Sequence, residues 1–371
     1  MSRHARTGLA APGLAEIHEG KYDRGRSTGV PGFASDYYVD WKLYGSRTSA
    51  TFGPRLASTA RRSLPESAGT PGARRHRTEH EEHSVAHAPE LPKTLKPYPV
   101  VANIEFAEGP IFDEDGYLYF VNYGQRGKLG RLAPRGLVES WIDTGGVVNG
   151  LKYDGNRGLI CADHGAKRVT RIDIDRKLIE VLTDEFEGSP YNGPNDVCMD
   201  LKGNVYFTDP GIDSEPVPGA IYRIAMPNPD AAGEVRQLAS GLEYPNGLAV
   251  HPDQKRLFVC MSRTNSVVSY DLDHDRNVSN AQTVFEFANP TVDGCQFDEH
   301  GRLWVARWLN GTIDVLDVEA GELLRSYPMR GDRVTNMCWW EDAVYVTVAG
   351  SNSIERLDAG VRGAQITPPK R

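Results

Sequence analysis

From residue 97 onward the chain repeats itself six times. In each copy a polar residue beside Gly, Pro or Asp opens an apolar run, and an Asp/Gly cluster turns the chain. A second apolar run follows, then a third that ends in Asp or a basic residue. The copies read EGPIFDEDGYLYFVN from Glu108, NGLKYDGNRGLICADH from Asn149, NDVCMDLKGNVYFTDP from Asn195, NGLAVHPDQKRLFVCM from Asn246, DGCQFDEHGRLWVAR from Asp293 and NMCWWEDAVYVTVAG from Asn336. Successive copies start 41 to 51 residues apart, which is room for four short strands and their turns, the blade of a β-propeller. The repeat predicts an all-β, six-bladed propeller of four-stranded blades over residues 97–360.

A propeller has to close, because an open last blade leaves an unpaired strand edge. The sixth copy supplies three strands, NMCWW, AVYVTVA and SIERLD, before the chain turns to Gly and Pro. The missing fourth is expected upstream of the first copy, in PVVANIEF at residues 99–106, so that an N-terminal strand closes the last blade.

The first strand of every blade lines the central channel, so the residues that open those strands converge at one end of it. Here they are Glu108, Asn149, Asn195, Asn246, Asp293 and Asn336. Singly, Asn or Asp beside Gly is an ordinary turn residue. Six of six, all offering oxygen and two of them carboxylates, predict a shared site. With no His or Cys among them the site is hard: Ca²⁺ suits it best, with Mg²⁺, Mn²⁺ or Zn²⁺ as alternatives. Glu108 and Asp293 together balance one divalent cation, and without it they would repel each other.

Two strands return the chain to the end where it started, so the loops joining second and third strands surround the same mouth. They carry Asn122 and Tyr123, His164, Asp209, Arg263, and Arg307 with Trp308. Aromatic, cationic and hydrogen-bonding groups in such a rim suit a small oxygen-rich molecule. Of these, Tyr123, His164, Arg263 and Trp308 are the expected substrate contacts, with Asn149 and Asn195.

Residues 1–96 differ in texture: rich in Arg, Ser, Gly, Pro and Ala, without a sustained period, they are expected to be a mostly disordered extension. The tract Arg74 to His87 contains His76, His80, His83 and His87. Ser84, however, stands where the helical zinc-protease pattern begun by His80 and Glu81 needs its second His, so a solvated charged run is expected there. Residues 361–371 are expected to be a flexible tail. The extension carries a net +5 and the remainder −13 of the chain's −8. An acidic body disfavours binding to a phosphate backbone, so no nucleic-acid partner is expected. Five cysteines lie singly in separate apolar runs with no CxxC pair, and no run of about 18 apolar residues could span a bilayer. The expectation is reduced thiols, no membrane partner and a cytoplasmic protein; Glu16, Glu19, Asp23, Asp36 and Asp40 speak against an acidic-poor organellar leader. Oligomeric state is not legible.

Five short motifs occur in order: EGP at Glu108, PND at Pro194 to Asp196, TDP at Thr208 to Pro210, PNGLA at Pro245 to Ala249, and DG at Asp293. Each alone is weak, but the ordered set resembles the gluconolactonase family, also called the senescence-marker or regucalcin family, over about residues 97–360. The resemblance implies a carboxylic ester hydrolase of carbohydrate metabolism: a lactonase with metal ligands Glu108, Asn246 and Asp293, and with Asn195 approaching the metal and substrate. It departs at one place. Several sugar-lactonase members carry a substrate-binding Arg two residues before the PND Asn, where this chain has Gly193.

Together the ring and the resemblance suggest metal-dependent hydrolysis of an aldonolactone or related small lactone. The cation would polarise the carbonyl and Asp293 would take a proton from the attacking water, with Glu108 sharing the catalytic site. No GxSxG elbow supplies a serine nucleophile. The alternatives are phosphotriester or ester hydrolysis at the same site, and a non-catalytic propeller acting as a binding scaffold.

Overall fold

The structure is a computed structural model that describes residues 88–211, 218–226, 233–289 and 291–367. The histidine tract and the rest of the expected extension up to residue 87 lie outside the described residues. Each repeat folds as a four-stranded antiparallel sheet, six in all. The innermost strands are Ala107–Phe112, Val148–Tyr153, Val197–Met199, Pro245–Val250, Val292–Phe297 and Val334–Trp340. Each touches the next, and the sixth touches the first, so the blades form a closed ring.

Closure comes from the predicted place. In the sixth blade Val334–Trp340, Ala343–Val348 and Ser353–Leu357 are completed by Tyr98–Ala102, which runs antiparallel to Ser353–Leu357 with Tyr98 opposite Arg356 and Ala102 opposite Ser353. The strand is shorter than the segment 99–106 because the backbone turns at Asn103, whose φ is 61°. Val101 and Ile104 are fully buried, each worth roughly 1.5–3 kcal/mol of apolar burial.

The second strand of a blade, such as Leu118–Asn122, Gly158–Asp163 and Arg302–Arg307, is buried at every position, and in the fourth blade only Arg256 at its start is partly exposed. Neighbouring blades cover both of its faces, so the sequence there reads as a continuous apolar run rather than as alternation. Outer strands such as Val278–Glu286 are largely exposed. The Asp at the turn between first and second strands also has a physical reason. Asp113, Asp154, Asp200 and Asp298 each accept backbone N–H groups from residues two and four positions on. A carboxylate thereby pins the tight turn. In the fourth blade His251 takes the place, its Nδ1 accepting from Asp253 N–H.

Packed chain extends past both expected boundaries. Before residue 97, Leu91 is 4% exposed, Arg302 donates to the Pro89 carbonyl at 2.8 Å, and the Tyr327 hydroxyl donates to the Pro92 carbonyl at 2.7 Å. Beyond residue 360, Val361 is buried, Gly363 bridges Asp298, and Ala364 N–H donates to the Phe297 carbonyl at 2.9 Å. Composition masks both segments, since a few apolar residues among prolines and glycines suffice to dock against a finished core. Among the described residues no helix is long and apolar enough to cross a membrane, and all five cysteines are free and buried.

Candidate functional site

The six polar residues predicted to converge do so because each opens, or stands just before, an innermost strand. In four blades Gly follows, and close packing explains it. A Cβ on Gly109 would stand 2.4 Å from the Asn149 carbonyl oxygen, and one on Gly247 2.4 Å from that of Asp293. The recurring EG, NG and DG pairs are thus seams where the next blade presses against backbone. Hydroxyl groups stitch three further contacts: Thr208 Oγ1 donates to the Asn246 carbonyl (2.8 Å), Ser262 Oγ to Val292 (2.7 Å) and Thr335 Oγ1 to Ala107 (2.8 Å). These hold the ring residues of neighbouring blades in register, and nothing in the repeat pattern distinguished them.

Three carboxylates face one another at this mouth. Glu108 is 5% exposed and Asp196 2%, whereas Asp293 is half-buried. Burial, then repulsion from Asp293 and Asp196, pushes Glu108 well above the usual carboxylate range. Burial and then Asp196 push Asp293 well up, against a hydrogen bond from Asn246. Burial also raises Asp196, opposed by Lys152 and by hydrogen bonds from Val197 N–H and Asn336.

Lys152 and Asp196 are the members of this charged cluster that sequence reasoning missed. A Cβ on Gly150 would lie 2.5 Å from Asp196 Oδ1, and Lys152, two residues further along the same strand, shares that face. Its side chain is buried at 3% exposure, and its charge is felt at Asp196, at Cys198 and, from the sixth blade, at Cys338. A lysine within the apolar run NGLKY was the available signal. Glu108, Asp196 and Asp293 against Lys152 leave two negative charges, which one divalent cation would neutralise.

The donor chemistry fits such an ion. Among the described residues no three His, Cys, Asp or Glu side chains form a compact ligand group, so an ion here would need amide oxygens beside the carboxylates. Asn246 directs Nδ2 to Ser262 Oγ at 3.2 Å and to the Asp293 carboxylate, which leaves Oδ1 to coordinate. The side chains of Asn149 and Asn195 make no hydrogen bond among the described residues. Asn336 differs: its Oδ1 accepts from Met337 N–H at 2.9 Å and its Nδ2 donates to Asp196 Oδ2 at 3.1 Å. It braces Asp196 across the channel.

Around the rim, Phe106 meets Tyr123 and Trp308 at ring-centroid distances of 5.2 Å each. Phe106 lies in the connection from the sixth blade's closing strand to the first blade, Tyr123 follows the second strand of the first blade and Trp308 that of the fifth, so the contact links blades on either side of the sixth. His164 is half-buried and its Nδ1 lies 3.1 Å from the Gly193 carbonyl. Asp209 accepts from the N–H groups of Asn192 (2.9 Å) and Gly193 (2.7 Å) and so shapes that loop. The two rim cations differ. Arg263 pairs with Glu243, in the loop that leads into the strand carrying Asn246, at 3.5 Å, whereas Arg307 is buried in an ion pair with Asp314 at 2.6 Å, its guanidinium over Phe287. Arg307 therefore does not join the mouth, because an internal carboxylate satisfies it. The cavity at the other end of the channel, 480 Å³ and lined by Phe112, Tyr153, Gln296 and Trp340, contains none of the ring residues.

Comparison with known proteins agrees with this architecture. The profile of the SMP-30/Gluconolactonase/LRE-like region matches residues 106–350. A gluconolactonase from Zymomonas mobilis subsp. mobilis is 24% identical over 287 residues, spanning 70% of this chain and 80% of that protein. The diisopropyl-fluorophosphatase of Loligo vulgaris is 25% identical over 251 residues, 60% of this chain and 78% of that one. Among solved structures, the calcium-binding protein regucalcin from Agrobacterium tumefaciens superposes with a TM-score of 0.64 at 20% identity, covering 75% of this chain and 98% of that chain. The structural likeness shows the shared fold.

Proposed function

The chain belongs to the SMP-30/gluconolactonase/LRE-like family, and we propose that it hydrolyses a lactone to its hydroxy acid at the mouth of the propeller channel. The observation that carries this reading is the cluster of Glu108, Asp196, Asp293 and Lys152, whose two net negative charges call for a divalent cation beside the amide oxygens of Asn149, Asn195 and Asn246. The similarity to a gluconolactonase supports the substrate class. Glu108, Asn246 and Asp293 would hold the ion, with Asn195 beside them; an all-oxygen set favours Ca²⁺. When bound, the cation supplies the positive charge that polarises the lactone carbonyl.

The residues divide the remaining work by accessibility. Asp293 is the member of the carboxylate cluster that is open to the mouth, so it takes the proton from water as the water oxygen bonds to the carbonyl carbon. It returns that proton to the ring oxygen as the ring C–O bond breaks, which balances the reaction and regenerates the carboxylate. Glu108, buried with Oε2 accepting from Gly109 N–H at 3.2 Å, contributes charge rather than proton transfer. Asn149 and Asn195 orient the substrate by hydrogen bonding, and the partner implied is that small molecule alone.

The similarity to diisopropyl-fluorophosphatase favours a second reading in which the same site hydrolyses a phosphotriester. Side-by-side turnover of δ-lactones, γ-lactones and a phosphotriester separates the two. Lactones are expected to exceed the phosphotriester by at least about tenfold in kcat/KM, a difference near 1.4 kcal/mol in transition-state binding. The reverse order would move the assignment to the phosphotriester.

A further inference from the structure

Resting on the lactonase reading, we infer that the channel mouth selects a lactone carrying an aromatic or alkyl group over a polyhydroxylated sugar lactone, and that Trp308 with Phe106 and Tyr123 forms the selecting wall. The first ground is steric. A Cβ on Gly193 would lie 2.7 Å from both Cε1 and Nδ1 of His164, so the imidazole occupies the space into which any side chain at 193 would project. The position is closed to a longer hydrogen-bonding or cationic group, and two hydrogen bonds from the Asn192 and Gly193 N–H groups to Asp209 keep the loop from swinging away.

The second ground is the kind of surface that remains. The Phe106 ring lies 5.2 Å, centroid to centroid, from both Tyr123 and Trp308, and so links a ring of the first blade to one of the fifth. Arg307, which sequence placed in this rim, is buried against Asp314, and Arg263 is engaged with Glu243. On the second blade, which adjoins the first, stands the His164 imidazole, with Nδ1 on the Gly193 carbonyl; burial disfavours its charged form. Among the described residues this wall offers π-faces where a sugar lactone would need a hydrogen-bonding group for each hydroxyl. Every hydroxyl left unpaired on binding weakens the complex, whereas a flat ring gains by stacking.

The test compares kcat/KM for dihydrocoumarin, a benzo-fused δ-lactone, with that for glucono-δ-lactone, using the full-length protein with Ca²⁺ present. Dihydrocoumarin is expected to lead by at least about tenfold, and Trp308→Ala to shrink that ratio about tenfold. Trp308→Leu, which retains an apolar side chain in case alanine unsettles the fold, should shrink the ratio less. A preference for gluconolactone, or a ratio untouched by both variants, overturns the inference. Should neither lactone be hydrolysed, the lactonase reading fails by itself. Specificity is then read from quenching of tryptophan fluorescence by the two product acids. Tighter binding of 3-(2-hydroxyphenyl)propanoate than of gluconate supports the selecting wall, and equal or weaker binding overturns it.

Discussion

Asp293→Asn is expected to lower turnover by about a thousandfold even at saturating divalent cation, within the range of about 10²–10⁴ that a positioned general base contributes. Asparagine keeps the size of the side chain and one oxygen for coordination, but it cannot accept the proton of the attacking water. It also takes the cluster of Glu108, Asp196, Asp293 and Lys152 from two negative charges to one, so the cation should bind more weakly as well. Asn246→Ala makes the contrast. That substitution removes a neutral amide whose Nδ2 donates to Ser262 Oγ, so excess cation should recover much of the rate. Steady-state kinetics at several cation concentrations distinguish the two, because only a lost base leaves kcat low at saturation. Near-normal kcat for saturated Asp293→Asn would make Asp293 a ligand only.

The second large effect is on stability. Glu108, Asp293 and Asp196 all have folded-state pKa values raised above the usual carboxylate range, chiefly by burial. With the folded pKa above the unfolded one, the folded chain holds more protons between the two. Stability of the cation-free protein therefore falls as pH rises from about 4 and levels off once the folded values are passed. A divalent cation removes that penalty by neutralising the ionised cluster. At a concentration about 1,000 times Kd it should contribute about 4 kcal/mol, roughly 10 °C in Tm for a domain of this size. Calorimetry in chelator and in excess Ca²⁺, stepped from neutral pH towards 5, should show the gap shrinking on acidification. A gap that is constant or grows would mean that the cation binds elsewhere or that these carboxylates are not its ligands.

The repeat made most of the architecture legible because a propeller writes its geometry into spacing. Buried second strands, Asp-pinned turns and Gly at the blade seams recur at matching places in copies such as EGPIFDEDGYLYFVN and NGLKYDGNRGLICADH. The closing strand was legible for the complementary reason that the sixth copy lacked one. What escaped depends on contacts between distant segments. Leu91 and Val361 dock on a core that must already exist, so no local period announces them. In the site, the oxygen-bearing ring could be read residue by residue, but its charge balance could not. Asp196 follows a ring residue where four other blades have Gly, and Lys152 is buried among apolar neighbours; only the closed ring sets them against each other. Arg307 went astray for a different reason: its partner Asp314 is near in sequence, on the next strand of its own blade, but the repeat pattern does not show that the two side chains meet in the interior.

The most direct test of the channel-mouth site is a titration of Ca²⁺ into chelator-treated protein, followed by calorimetry for stoichiometry and by lactone turnover on the same samples. The expected result is one ion per chain, turnover rising in proportion to occupancy, and loss of that binding step in Glu108→Gln, which keeps the shape of the side chain but removes one of the two balancing charges. Full lactone turnover with no ion bound, or a binding step unchanged by Glu108→Gln, would contradict it.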